Sequence, residues 1–360
     1  MSSRSLPPEI LNLIVEKHAD DRKTLFACSL VSKHWLPSSR YYLFGDLTLH
    51  LGGAYEAAFL SLLAHELCTF STSVRKLWIL PQQEADLSTG MNDNIARLGK
   101  LTSVRTLRIH RQRIIPSQTL SAMATAFKNI TSLVMMLRFT TFSDALRFMC
   151  AFRDLEEVHF EPVRTSPGDY PPADVVMPPN LRSVYIDTIR GHERWFADHR
   201  TPTLTALSVV NVRPLDDINR LDAILEGFGH HLRHLTLQFG NQKGEFDVQM
   251  NLAYNTQLRS VKIDLSKLTR RHLLPAIASI RSLYLEAIVW RTRRSFAFPA
   301  HSWSKLDELL ANRSALPALN KFAILAPKPS AASVNPRLLM PSCDALGILC
   351  GDQDIVPEDD

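Results

Sequence analysis

From residue 74 onward, large apolar residues recur in one local pattern, apolar-x-x-apolar-x-apolar, separated by stretches of a different periodicity. The pattern occurs as Val74-Leu77-Ile79, Val104-Leu107-Ile109, Ile130-Leu133-Met135, Leu155-Val158-Phe160, Leu181-Val184-Ile186 and Leu204-Leu207-Val209. It continues as Leu232-Leu235-Leu237, Leu258-Val261-Ile263, Ile280-Leu283-Leu285, Leu319-Phe322-Ile324 and, more weakly, Cys343-Leu346-Ile348. The two closing positions of each core stand two residues apart, the spacing that puts both on one face of a strand. Successive cores start 30, 26, 25, 26, 23, 28, 26, 22, 39 and 24 residues apart.

The stretches between cores carry helix signals. Asp216-Asp217 precedes Ile218, Leu221, Ile224, Leu225 and Phe228, and Gly227 and Gly229 close that segment. Ser143 precedes Leu146, Met149 and Phe152; Leu120, Met123, Ala124 and Phe127 form a third apolar face, and Trp303, Leu306, Leu309 and Leu310 a fourth. Strand then helix, repeated at about 25 residues, predicts an α/β fold: a curved leucine-rich-repeat-like solenoid of about eleven units over 48–350, with a parallel sheet on its concave face. The Asn or Cys that follows the strand in many such repeats is mostly missing, which predicts irregular loops. Pro162 to Pro179, Arg291 to His301 and Pro327 to Pro341 mark three long excursions.

Residues 6–47 follow another pattern. Pro7 and Pro8 suit a helix entry, Glu9 complements the positive end of the helix dipole, and Ile10, Leu11, Leu13 and Ile14 supply a broad apolar stripe. This predicts a helix over residues 8–17, then Asp20 and Asp21 as breaker and cap, and a second helix over 24–31 with Leu25, Cys28 and Val31 on one face. Two helices this short cannot bury their apolar faces alone, so part of that surface must meet the following domain or a partner.

Leu6-Pro7, Glu9-Ile10, Ile14, Asp20-Asp21, Thr24-Leu25, Cys28-Ser29-Leu30-Val31-Ser32, Trp35 and Leu43-Phe44 resemble, in order and spacing, the F-box pattern, and are similar to F-box-like proteins abundant in mushroom-forming fungi. His18 departs from it, standing where the family usually places a large apolar residue. The resemblance implies a module that docks on the small adaptor bridging F-box proteins to a cullin–RING (SCF-type) ubiquitin ligase. The docking residues it implies are Leu6, Pro7, Ile10, Ile14, Leu25, Cys28, Val31 and Trp35.

Composition changes the picture little. At 45% hydrophobic content with 13 glycines, more than 300 residues remain for a folded core. Met1 to Ser5 has no apolar run and does not read as a secretory signal, and the most apolar helical stretch, 54–67, contains Glu56, His65 and Glu66 and is too short to span a bilayer. Five scattered cysteines, Cys28, Cys68, Cys150, Cys343 and Cys350, read as reduced core thiols of a cytoplasmic or nuclear protein. A net charge of +5, with only the short basic clusters Arg270-Arg271-His272 and Arg291-Thr292-Arg293-Arg294, argues against a nucleic-acid track. Residues 351–360 read as a mobile acidic tail.

Strand alternation predicts which residues line the exposed sheet face. With Leu77 and Ile79 inward, one outward row takes Trp78, Arg108, Val134, His159, Tyr185, Ser208, Thr236, Lys262 and Tyr284. Flanking rows take Thr106, Glu157, Asp187, His234, Gln238, Asp264 and Glu286. Aromatics, both charge signs and small polar groups together fit protein recognition better than phosphate tracking. From this row, Trp78, Arg108, His159, Tyr185, Thr236, Lys262 and Tyr284 are the candidate target-binding residues. Phosphate-cradling and serine-elbow motifs are missing, and His192-Glu193 lacks a second histidine at Phe196. His230, His231 and His234 straddle a helix end and a strand start, and Cys343 and Cys350 have no second ligand pair, so no metal is expected. Neither a catalytic residue nor a cofactor is expected. The sequence therefore predicts a non-catalytic substrate-recognition subunit of the ligase; a protein-interaction scaffold without a role in ubiquitylation shares the same features.

Overall fold

From Asp46 onward, after three short helices, strands recur along the chain, and among the described residues most of them are followed by a helix before the next strand, Glu157–Phe160, Ser183–Ile186 and His234–Phe239 excepted. The structure is a computed structural model that describes residues 6–52, 54–81, 91–139, 141–160, 175–187, 203–240, 250–264, 273–291, 300–325 and 336–350. Expectations about Pro162 to Pro172, His192-Glu193, Arg270-Arg271-His272, residues 292–299 and 326–335, and the acidic tail lie outside these residues.

The strands are β1 (Asp46–Leu51), β2 (Lys76–Pro81), β3 (Thr106–Ile114), β4 (Ser132–Arg138), β5 (Glu157–Phe160), β6 (Ser183–Ile186), β7 (Ala206–Val212), β8 (His234–Phe239), β9 (Ser260–Asp264), β10 (Ala287–Arg291), β11 (Lys321–Leu325) and β12 (Leu349–Cys350). They form one sheet in chain order. Strands that follow one another directly beside a helical return must run parallel, and the ladders do so. This is a leucine-rich-repeat-like α/β solenoid. The chain divides into two compact units, Met1–Val158 and His159–Asp360.

In the first unit, helices α1 (Pro8–Glu16), α2 (Arg22–Val31) and α3 (Leu36–Phe44) precede β1. Leu11 and Val15, one turn apart, are the buried stripe of α1. Asp21 caps α2, its Oδ1 accepting the N–H groups of Lys23 at 3.0 Å and Thr24 at 3.2 Å. The Thr24 hydroxyl and N–H together hold the Asp21 carboxyl below the usual carboxylate range. Helix α3 packs against both α1 and α2. Helices α4 (Ala54–Ala64), α5 (Met91–Leu98), α6 (Ser117–Ala126) and α7 (Phe142–Cys150) then follow β1 to β4 in turn. The cap of α7 is Thr141, whose hydroxyl accepts the Asp144 N–H at 3.0 Å, two residues before the expected Ser143.

The core is a stack of equivalent positions. Leu47, Leu77, Leu107 and Leu133 are register partners, as are Leu49, Ile79, Ile109 and Met135, and all but Leu47 are buried. In the second unit the corresponding stack is Val184, Leu207, Leu235, Val261, Ile288 and Phe322, all buried. Just before most strands a second regularity appears: one carbonyl accepts two successive N–H groups of the next repeat. Gly45 O takes those of Arg75 and Lys76 at 2.9 and 2.8 Å, Arg75 O those of Arg105 and Thr106, and Arg105 O those of Thr131 and Ser132.

Three departures from the sequence reading have physical causes. The first strand is β1, one unit earlier than expected, because Phe44-Leu47-Leu49 repeats the core pattern directly behind the helices. The ninth core is not Ile280-Leu283-Leu285 but Leu285-Ile288-Trp290, since Ile288 pairs with both Val261 and Phe322 while Leu283 is exposed in a turn. This shift changes intervals of 22 and 39 residues to 27 and 34, a more regular repeat. The last strand is Leu349–Cys350; Leu346 is exposed and Cys343 sits on the preceding helix, Pro341–Ala345.

The helix Pro214–Phe228 begins earlier than the Asp216-Asp217 pair suggested. Asp217 lies inside it and reaches back to accept the Arg213 N–H at 2.9 Å, satisfying a backbone donor at the helix entry.

Candidate functional site

The N-terminal helices present apolar side chains on two sides. Leu11 and Val15 of α1 and Leu25 and Cys28 of α2 face the helical core, so Leu25 and Cys28 hold the module together and offer no surface for docking. Opposite them, Leu6, Ile10, Leu13 and Ile14 form an exposed stripe on and before α1, spaced at three and four residues. Helix α2 exposes Phe26, Leu30 and Val31 by 61, 71 and 65%. Pro7 is exposed and Trp35 half-buried at the start of α3. The exposure of Leu13, Phe26 and Leu30 was not singled out from the sequence, although their one-turn spacing from Ile10 or from one another was the available signal. Isolated exposed apolar residues are ordinary on soluble proteins, but two such stripes on adjacent helices are not.

These helices are joined directly to the first repeat. Only Gly45 lies between α3 and β1, and its carbonyl is the first acceptor in the pre-strand series. The Phe44 ring stacks on Phe70 with centroids 4.9 Å apart and planes at 28°, Phe59 packs on the same ring at 5.8 Å, and the Arg75 guanidinium sits 5.3 Å from the Tyr41 ring centre.

On the sheet, the alternation rule holds along most strands of each unit and breaks at β11, where Ala323 is buried and Ile324 half-buried. Thr48, Trp78, Arg108 and Val134 are register partners in the first, and none of Trp78, Arg108 and Val134 is buried. Arg108 places its guanidinium 4.8 Å from the centre of the Trp78 ring, and its Nε is buried with no hydrogen-bond partner among the described residues. In the second unit the row is Tyr185, Ser208, Thr236, Lys262, Val289 and Ala323. His159 on β5 stacks against Tyr185 with centroids 3.7 Å apart.

Tyr284 is displaced from this row. It lies half exposed in the turn before β10, and Val289 takes its register position next to Lys262 because the ninth core is shifted. Among the flanking residues, Asp264 is buried at the end of β9 and Glu286 precedes β10, 3.4 Å from Arg259. Burial pushes the Asp187 carboxyl above its ordinary range, opposed by a hydrogen bond donated by the Asn211 amide. Asn211 itself has φ of 57° at a register shift in β7, a conformation that asparagine tolerates better than most residues.

His230 and His231 are neighbours in a single 3₁₀ turn with ring centroids 3.9 Å apart, and His234 opens β8 with Nδ1 2.8 Å from the Ser260 hydroxyl. Among the described residues no group of three or more His, Cys, Asp or Glu side chains is arranged to hold a metal ion. Nor is any described helix long and apolar enough to cross a membrane.

No protein-family model matches the chain, and no curated protein matches it. Among solved structures, the chain is similar to the leucine-rich repeat-containing protein LegL7 from Legionella pneumophila, with 12% identity and a TM-score of 0.43 over 82% of this chain and 96% of that one. It is also similar to a chain of the yeast Rad7 and Elc1 complex, with 10% identity and a TM-score of 0.38 over 96% of this chain and 93% of that one.

Proposed function

We propose that this protein is a non-catalytic substrate-recognition subunit of a cullin–RING ubiquitin ligase. Helices α1 and α2 dock the adaptor through their outward apolar stripes, and the helix-free face of the sheet holds a protein target. The observation that carries this reading is the doubled apolar character of the first two helices: one stripe of each is used up in the helical core, and a second, Leu6, Ile10, Leu13 and Ile14 with Phe26, Leu30 and Val31, stays in solvent. Burying side chains of this size contributes about 1.5–3 kcal/mol each when the whole side chain leaves water, so several half-exposed ones suffice to anchor a partner. The mechanism is positioning, with bond chemistry left to other subunits.

The test is affinity recovery from cell extract with the intact chain and with Leu6→Ala/Pro7→Ala, read by mass spectrometry. The expected result is adaptor and cullin with the intact chain alone, and target proteins with both baits. Failure of the intact chain to recover the adaptor, or survival of the adaptor on the variant, sinks the docking assignment.

A further inference from the structure

The residues that open the strands of the second unit form a line of their own. The pre-strand carbonyl geometry recurs there: Arg182 O accepts from Thr205 and Ala206, Thr205 O from Arg233 and His234, Arg233 O from Arg259 and Ser260, and Arg259 O from Glu286 and Ala287, all at 2.7–3.0 Å. Arg182, Thr205, Arg233 and Arg259 are thus equivalent positions on neighbouring repeats. Strand spacing of about 4.8 Å sets Arg233 beside Arg259, with Arg182 about 10 Å away from Arg233. All three arginines are exposed.

Like charges placed opposite one another on adjacent strands are unfavourable, so an arginine line needs compensation. Among the described residues it has little. Arg259 reaches Glu286 at 3.4 Å in a pair half exposed to water, which is worth little. Arg182 and Arg233 have no side-chain partner among the described residues. The first unit handles the same positions differently: Arg75 lies over Tyr41, and Arg105 donates from Nη1 to the Asn129 carbonyl at 3.1 Å. Beside the line stand the exposed His234 and the half-buried Ser183 and Ser260, which add hydrogen-bonding groups, with the imidazole of His234 held 2.8 Å from the Ser260 hydroxyl.

We propose that Arg182, Arg233 and Arg259 form a docking edge for an acidic peptide segment, a run of Asp and Glu on a protein partner. Guanidinium forks pair with carboxylates in two parallel hydrogen bonds, and an extended peptide at about 3.3 Å per residue covers the line with four or five residues. A nucleic acid fits less well, because its backbone calls for a longer set of phosphate contacts and its bases for stacking rings. The edge is separate from the outward stripes of α1 and α2, and its occupancy does not require adaptor docking.

The experiment is fluorescence anisotropy of the full chain with a labelled Asp/Glu peptide of about ten residues, long enough to overrun the line. Its Asn/Gln counterpart, a phosphoserine peptide and a single-stranded oligonucleotide of equal charge serve as comparison probes. Binding of the Asp/Glu peptide is expected to weaken about tenfold or more in Arg182→Gln/Arg233→Gln/Arg259→Gln, and to weaken as salt is raised. Should the triple variant unfold, Arg233→Gln alone serves, since the Arg233 side chain has no hydrogen-bond or ion-pair partner among the described residues. No binding of the Asp/Glu peptide, equal binding by the folded variant, or tighter binding of the phosphopeptide or the oligonucleotide overturns the proposal.

Discussion

The Arg108 guanidinium lies over the Trp78 indole, 4.8 Å from its centre, on the helix-free face of the sheet in the first unit. A stacked pair of this kind contributes about 0.5–1 kcal/mol where partly exposed, so its main value is as a flat, cationic platform for something else. Trp78→Ala removes this stack and the covered part of an indole that is 36% exposed, and is expected to lower stability in urea unfolding by about 1–3 kcal/mol. Recovery of targets by the Leu6→Ala/Pro7→Ala bait should nevertheless fall when Trp78→Ala is added to it. Arg108→Lys should reproduce part of that loss, because an ammonium keeps the charge without the planar stack. Unchanged recovery in both would remove this pair from the target site.

Residues of α2 separate docking from folding. Phe26→Asp and Leu30→Asp change exposed side chains and should leave the thermal unfolding midpoint almost unmoved while abolishing adaptor recovery. Leu25→Ala, in the fully buried stripe of the same helix, should cost about 2–5 kcal/mol instead. Calorimetry beside pull-down distinguishes the two effects; equal destabilisation by Leu30→Asp and Leu25→Ala would contradict the outward placement of Leu30.

Gly45 is a steric requirement. A Cβ built there lies 2.6 Å from the Tyr41 carbonyl oxygen, a backbone atom that cannot yield as a flexible side chain does. Gly45→Ala should destabilise the first unit by about 1–3 kcal/mol, read as an earlier transition in a thermal melt. A wild-type melt would show that the backbone between α3 and β1 relaxes freely.

Thiol chemistry reports on the core. Burial pushes the Cys150 thiol up to about 12, and burial together with the neighbouring Asp307 carboxylate does the same for Cys343. At pH 8 a thiol reagent should modify the half-buried Cys68 and Cys350 before the equally half-buried Cys150, whose thiol stays protonated, with the buried Cys28 and Cys343 following only at the unfolding rate. Mass mapping of the modified peptides over time gives the order.

Asp307 makes the end of the second unit acid-sensitive. Burial raises the energy of its carboxylate, but the N–H groups of Cys343 and Ser342 at 2.8 and 3.0 Å, with further hydrogen bonds from the same two side chains, outweigh this and hold its pKa below the usual range. A carboxyl whose folded value is depressed contributes stability above its unfolded value, and that contribution is lost as pH falls through the folded value. The turn 342–347 and β12 should therefore lose amide-exchange protection in acid before the preceding strands do. Asp307→Asn should flatten this dependence; an unchanged acid profile would mean that other carboxyls set it.

The solenoid was legible because its core pattern is local and repeats, yet the same locality explains where reading failed. Ile280-Leu283-Leu285 and Leu285-Ile288-Trp290 both satisfy the pattern and share a residue. Only pairing of Ile288 with Val261 and Phe322 selects the second, and pairing is not written in any short window. Tyr284 left the sheet row for that reason. Phe44-Leu47-Leu49 was legible too, but its first residue also closes a helix, so β1 was absorbed into the N-terminal module. In that module both faces of α2 are apolar, and the position of α3 decides which one is buried. This is why Leu25 and Cys28 read like docking residues while Phe26 and Leu30 did not.

The passage from α3 into β1 through Gly45, clamped by Phe44 on Phe70 and Arg75 on Tyr41, leaves no slack for a swivel. Whatever grips the outward stripes of α1 and α2 thereby also sets the heading of the Trp78 and Arg108 platform, as a handle sets the heading of a blade. Under the proposed function, choice among the lysines of a target is made when the target seats on the sheet, with no later adjustment at this joint. Inserting a few flexible residues after Gly45 would turn that fixed bearing into a tether and blur the choice.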